Sequence, residues 1–249
     1  IQKYMKYAVD SAKDYHPKVG DVWIADETYV RVDRLSPQDK AIKNPYNKSK
    51  AAKWLVCWDI IDADTRFLLA TRLATSRTKK DAQLLMDRAI AKAGKSPRVV
   101  CTDALASYLD INYGKDAQHR VGGPFDVENN TNLIERFHGT FKARTKVMRA
   151  LKNLNTAHSF LDSWLVHYNY LRPHESLGGK APAEAAGISY PYKNWNELSR
   201  KHTLGNTSET QPKVTIRELP TSFDLAQPKA RLSPRSNVFP ITKRTARLE

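Results

Sequence analysis

A chain of 249 residues is long enough for one or two domains with a real hydrophobic core. Its 41 Lys and Arg against 26 Asp and Glu leave a net charge of +15. That balance suits a polyanionic partner, nucleic acid above all, because Lys and Arg neutralise phosphates whatever the sequence. The two cysteines, Cys57 and Cys101, lie in apolar runs without a Cys-x-x-Cys pair, which excludes a disulfide scaffold and a thiolate zinc site. A reduced, cytoplasmic protein is expected. No stretch reaches the roughly 20 apolar residues of a membrane span, so no membrane partner is expected.

Residues 1–20 open with a short helical pattern and close in a linker around His16 and Pro17. The run from Val22 to Val32 is a strand, with Val22, Ile24, Asp26, Thr28, Val30 and Val32 on one face. Asp26 therefore stands among β-branched residues, where a carboxylate is costly unless it is paired or binds metal. Glu27 points to the opposite face and is the weaker candidate. Residues 33–53 hold two prolines and six basic residues and read as a long polar loop. Trp54 to Asp62 and Arg66 to Ala74 form a hairpin around Ala63-Asp64-Thr65, whose turn chemistry accounts for Asp62 and Asp64.

A helix follows, capped by Thr75 or Ser76 and closed by Gly94. The short apolar run from Pro97 to Thr102 ends in Asp103 and suits a buried parallel strand whose carboxyl end carries an acid. Ala104 to Tyr113 reads as a helix, Ala117 to Val121 as a short strand, and Gly122-Gly123-Pro124 as a flexible loop. The next helix starts at Asn130 or Thr131 and runs to about Leu151, with Leu133, Ile134, Phe137 and Phe141 on its apolar face. Glu135 lies in its first turns, followed on the same face by His138 and Lys142. Taken alone, Glu135 reads as a solvated acid favoured by the helix dipole. A further helix spans roughly Thr156 to Leu171, its aromatic stripe being core, and Pro182 to Ala186 forms a brief one. From 191 to 249 the chain has 11 Lys and Arg against 5 Asp and Glu, six prolines and weak apolar periodicity. This is expected to be a basic, largely extended or disordered tail.

The order of elements is that of an α/β, RNase H-like domain, a mixed five-stranded sheet flanked by helices. There the first strand and the later parallel strand are neighbours, so Asp26, Asp103 and Glu135 can converge. Three carboxylates form a hard, oxygen-only site for two Mg²⁺ or Mn²⁺ ions. Such a pair can activate an attacking oxygen and stabilise a leaving one in phosphoryl transfer.

Four segments carry a family resemblance. They are Trp23 to Val30; Cys101-Thr102-Asp103-Ala104 with Ser107-Tyr108; Asn132 to Lys142; and His167 to Ala185. In this order they resemble the motifs of DDE transposases of bacterial and archaeal insertion sequences, with an integrase-type catalytic core over about residues 21–188. The resemblance implies a recombinase in which Asp26, Asp103 and Glu135 hold the metals. It would hydrolyse a phosphodiester at a transposon end and then use the freed 3′-hydroxyl to attack target DNA. It further implies double-stranded DNA as partner, a dimer or higher oligomer on paired ends, and a place in the prokaryotic cytoplasm near the nucleoid. Lys142 matches a lysine that related integrases place on DNA. His138 is a weaker candidate for that surface, and Arg136 and Arg144 read as generic backbone contacts.

Some features depart from the family pattern. Only 31 residues separate Asp103 from Glu135, fewer than is usual, which keeps Asp126 and Glu128 as competitors for the third acid. The loop at 33–53 is longer than expected. The family's helical DNA-binding domain, normally upstream of the core, is expected to be absent from this chain. Two rival readings stay open: an RNase H-like nuclease that cuts without joining, and a non-catalytic transposase core kept for binding DNA.

Overall fold

In the computed structural model a strand with neighbours on both sides, β1 (Val22–Val32), forms the centre of the sheet. The structure describes residues 2–33, 53–122 and 131–204, all within the compact unit Ile1–Ser208. Most of the polar loop, the Gly123-Pro124 part of the hinge, Asp126, Glu128 and residues 205–249 lie outside the described residues.

The sheet runs β3-β2-β1-β4-β5, with β2 (Lys53–Asp62) and β3 (Leu68–Ala74) antiparallel, and β4 (Val99–Thr102) and β5 (Gln118–Val121) parallel. This is the expected mixed five-stranded RNase H-like sheet, with β1 beside β4. In β2, Leu55 to Trp58, Ile60 and Ile61 are all buried. Its continuous apolar reading follows from helices covering both faces of the sheet.

Each face has its own core. On one, Trp23, Ala25 and Trp58 pack with α1 (Gln2–Ala12) and α2 (Lys79–Ala93). On the other, Ile24, Val30 and Leu55 pack with α3 (Asn132–Val147) and α4 (Leu154–Val166). The alternation of β1 decides which side chain enters which core. Helix α2 is capped at Thr78, later than expected, because Asp81 completes a capping box there. Gly94 closes it at φ 68°.

Three expectations change. Residues 104–113 form only a single helical turn, Ala106–Tyr108: Leu105 N–H binds Asp103 Oδ1 at 3.0 Å, and Asp110 adopts a positive φ of 54°. Helix α3 stops at Val147, four residues early, because Arg149 turns at φ 63° and Leu151 pairs with β1 through Arg31 and Asp33. Residues 191–204 are not the extended segment expected there. After α5 (Pro182–Ala185), helix α6 (Trp195–Leu204) buries Leu198 in the core, and Tyr192 and Trp195 pack beside it. Three apolar side chains within seven residues suffice to anchor a segment whose average composition is basic.

Helix α4 continues as a π-helical turn, His167–Leu171, that aims Asn169 into the protein. Asn169 brackets Leu68 of β3, donating to its carbonyl at 2.9 Å and accepting from its N–H at 2.8 Å. The edge of the sheet is thereby satisfied by a side chain from 101 residues away. Among the described residues no helix is long and apolar enough to cross a membrane.

Candidate metal centre

Strands β1 and β4 pair only from Val22–Val99 to Ile24–Cys101 and then part. The crevice so opened lies at the carboxyl ends of two parallel strands, where open α/β sheets place their sites. Asp26 lines it from β1, and Asp103 from the residue just past β4. The sequence expectation that these two acids converge is met in the structure, and Glu27 joins them. One carboxylate oxygen from each of Asp26, Glu27 and Asp103 lies within 4.8 Å of the others.

This donor set fits a divalent cation. Three carboxylates supply only hard oxygen ligands, the type that Mg²⁺ and Mn²⁺ take. The electrostatics point the same way. Burial and the nearby Asp26 raise the Glu27 carboxyl to about 7, against the opposing pull of Arg77. Burial raises Asp103 as well. A cation among these groups would relieve the cost of crowding negative charge in a half-dry crevice.

Glu27 enters from the other face of β1, as alternation requires, but its longer side chain reaches the gap. There it forms an ion pair with Arg77 and accepts from the Tyr108 hydroxyl at 3.4 Å. Tyr108 is buried, packs edge-on against Trp58, and has its hydroxyl pKa pushed up by burial and by the surrounding acids.

Glu135 is placed differently. It is exposed in the first turn of α3 and accepts from Thr131 Oγ1 at 2.9 Å, outside the Asp26–Glu27–Asp103 cluster. One turn further along the same helix, His138 does reach the crevice. The sequence expectation had His138 on a DNA-facing surface; instead it is only 4% exposed. Its Nε2 donates to Asp59 Oδ2 at 3.0 Å, and its Nδ1 faces Asp26 Oδ2 at 3.4 Å. Burial alone would lower the imidazole pKa, but hydrogen bonds to the two carboxylates raise it to about 9. The ring is consumed by these bonds, which is why it cannot serve DNA.

The four basic candidates separate. Lys142 is exposed and lines a groove of about 920 Å³ with Arg31, Lys146, Arg149, Tyr29 and Trp54. Arg136 lines a smaller hollow beside Val22 and Cys101, and Arg144 lies near Trp164 and Trp195. Helical spacing explains the division: 142 and 146 share the stripe that begins at 135 and 138, whereas 136 and 144 do not.

Asp59, Arg77 and Tyr108 were not assigned roles from sequence, and Glu27 was only the weaker candidate beside Asp26. A signal for Asp59 did exist. It is an acid in the otherwise apolar run Leu55 to Ile61, and a buried carboxylate needs a partner. No comparable signal marks Arg77, whose role depends on how the segment before α2 is placed.

Residues 116–182 match the family model described as Integrase core domain. The integrase-core match contains Glu135, His138 and Lys142, while Asp26 and Asp103 lie before it. Similar solved structures include the catalytic core domain of BIV integrase, at 16% identity and a TM-score of 0.46, covering 75% of this chain and 99% of that one. The HTLV-2 integrase catalytic core domain, solved with magnesium in a trimeric form, has 17% identity and a TM-score of 0.45, covering 69% and 97%. No curated protein matches the sequence. The strand order and register described above carry the fold assignment.

Proposed function

We propose that this chain is a DNA transposase of the DDE type, from an insertion sequence, acting on double-stranded DNA through two Mg²⁺ or Mn²⁺ ions. The observation that carries the reading is the meeting of Asp26 and Asp103, from separate strands, with carboxylate oxygens within 4.8 Å at the mouth of the crevice. The integrase-core match over 116–182 supports it from an independent part of the chain.

In this reading Asp26, Asp103 and Glu135 are the metal carboxylates. Divalent cations held there would supply Lewis-acid stabilisation of the attacking and leaving oxygens. In the first reaction a water oxygen bonds to the phosphorus and the P–O3′ bond breaks, leaving a 3′-hydroxyl and a 5′-phosphate. In the second that 3′-hydroxyl oxygen bonds to a target phosphorus as a target P–O3′ bond breaks. Lys142 holds the phosphate backbone in the groove it shares with Lys146 and Arg149. Arg136 and Arg144 make outlying backbone contacts.

Glu135 is preferred to Glu27 as third ligand on two grounds. Glu27 already has a cation in Arg77 and holds its proton up to about pH 7. Glu135 is exposed and lies one turn before a residue that touches Asp26, on the helix that borders the crevice, with no cation paired to it among the described ion pairs. The transposase is further proposed to work as a dimer or higher oligomer on paired ends.

The test supplies duplexes from the two ends of the element, a plasmid target and Mg²⁺ or Mn²⁺, and reads covalent joining. Asp26→Asn, Asp103→Asn and Glu135→Gln are each expected to lower joining on the order of 10³-fold, the loss of about 4 kcal/mol of transition-state stabilisation. Glu27→Gln is expected to keep joining within about tenfold. Loss with Glu27→Gln and retention with Glu135→Gln would move the third ligand to Glu27. Cleavage without joining in wild type would favour the nuclease.

A further inference from the structure

Asp26 and Asp59 are directly opposite each other across the β1–β2 ladder. Two carboxylates so placed repel, and the arrangement is unfavourable unless something neutral or positive lies between them. Asp59 is fully buried, and both of its oxygens are engaged: Oδ1 faces Cys57 Sγ at 3.8 Å and Oδ2 takes the bond from His138. The imidazole of His138 fills the gap, with one nitrogen on each acid. Its ring is held further by Phe137, tilted at 5.6 Å, within a core that also contains Ile134, Phe141 and Tyr168.

We propose that Asp59 and His138 form a positioning bridge that sets the rotation of the Asp26 carboxylate toward the metal crevice. With Oδ2 of Asp26 tied to the imidazole, its remaining oxygen is free for the crevice that Asp103 shares. Asp59 does for His138 what a second carboxylate does for an imidazole beside a metal: it fixes the plane and direction of the ring. The bridge also joins the carboxylate on β1 to the helix that carries Glu135 one turn earlier, so helix and strand cannot shift independently. Neither Asp59 nor His138 touches the reacting atoms in this account; both act through Asp26. The proposal rests on Asp26 being a metal ligand.

The test measures Mn²⁺ binding to the DNA-free protein by calorimetry, with thermal melts reporting folding. Asp26→Asn, expected to abolish or nearly abolish binding, is the reference. His138→Ala is expected to weaken Mn²⁺ binding by about 10- to 100-fold, and Asp59→Asn by about tenfold. The amide in Asp59→Asn keeps an acceptor for the imidazole, so this variant is expected to fold even if His138→Ala does not. His138→Gln, which keeps one N–H donor, is expected to recover part of the loss. The double variant Asp59→Asn with His138→Gln is expected to be no weaker than the worse single variant, because the two act as one unit. Folded Asp59→Asn and His138→Gln proteins with wild-type Mn²⁺ affinity would overturn the bridge, provided Asp26→Asn loses it. If Asp26→Asn itself binds Mn²⁺ like wild type, the metal-site reading fails, and the bridge with it.

Discussion

The two faces of the sheet treat neighbouring acids on β1 in opposite ways. On the α3 face, Asp26 meets a histidine only 4% exposed, which is itself shared with the fully buried Asp59. On the α2 face, Glu27 meets Arg77, whose side chain remains 34% exposed. One cation is locked between two carboxylates inside a core; the other reaches in from solvent over the Tyr29 ring, 5.8 Å from its centroid. The difference shows which neighbour can yield. A solvent-linked arginine and a carboxyl that takes up a proton near neutrality can separate at small cost, whereas the buried triad cannot lose a member without stranding charge.

The largest effect should separate the two faces at once. Removing the cation from the buried side, His138→Ala, is expected to cost about 3–5 kcal/mol in urea unfolding, as for breaking a buried ion pair. Removing it from the open side, Arg77→Ala, is expected to cost less, because Arg77 is part-exposed and the buried Glu27 it leaves behind can take up a proton. Equal losses for the two variants would erase the comparison.

The pH dependence of metal-free stability sharpens it further, because the two sides should respond in different windows. The Glu27 carboxyl is raised from 4.5 to about 7 in the fold, so the folded state binds the proton more tightly. Its contribution is full below about pH 4.5 and is lost as pH rises toward 7. The His138 imidazole is raised from 6.5 to about 9, so its contribution is full below about pH 6.5 and is lost as pH rises through 9. Subtracting the stability curve of Glu27→Gln from that of wild type should show the lower window, and subtracting that of His138→Gln the upper one. Reversed windows would contradict the partners assigned to each group.

The smallest expected effect lies outward along the α3 face, where the stripe leaves the core and enters the groove. Lys142→Ala should weaken binding of non-specific duplex DNA and make the slope of log K against log salt shallower by about 0.9, the share of one phosphate contact. Arg144→Ala, on another side of α3, should change that slope less, and an equal change would remove the distinction between the two stripes.

Much of this architecture could be read from sequence because local patterns carry it. Alternation in Val22–Val32 placed Asp26 on a buried face, the wholly apolar run before Asp103 marked a parallel strand, and helical spacing put His138 and Lys142 beside Glu135. The single turn at Ala106–Tyr108, the early end of α3 and the helix Trp195–Leu204 were not legible. Each depends on a contact with a distant residue or on a backbone conformation that composition does not reveal.

By itself, the sequence determined the order of the five strands, the excess of positive charge and the presence of acids at two strand positions, since these follow from local periodicity and composition. Only the tertiary structure decided how those acids are paired. The parting of β1 from β4 after Ile24–Cys101 let Glu27 reach across from the opposite face. The β1–β2 register set Asp59 against Asp26, and the seating of α3 drove His138 between them instead of toward DNA. Register and helix placement are set by packing across the whole sheet, so no local window of residues contains them.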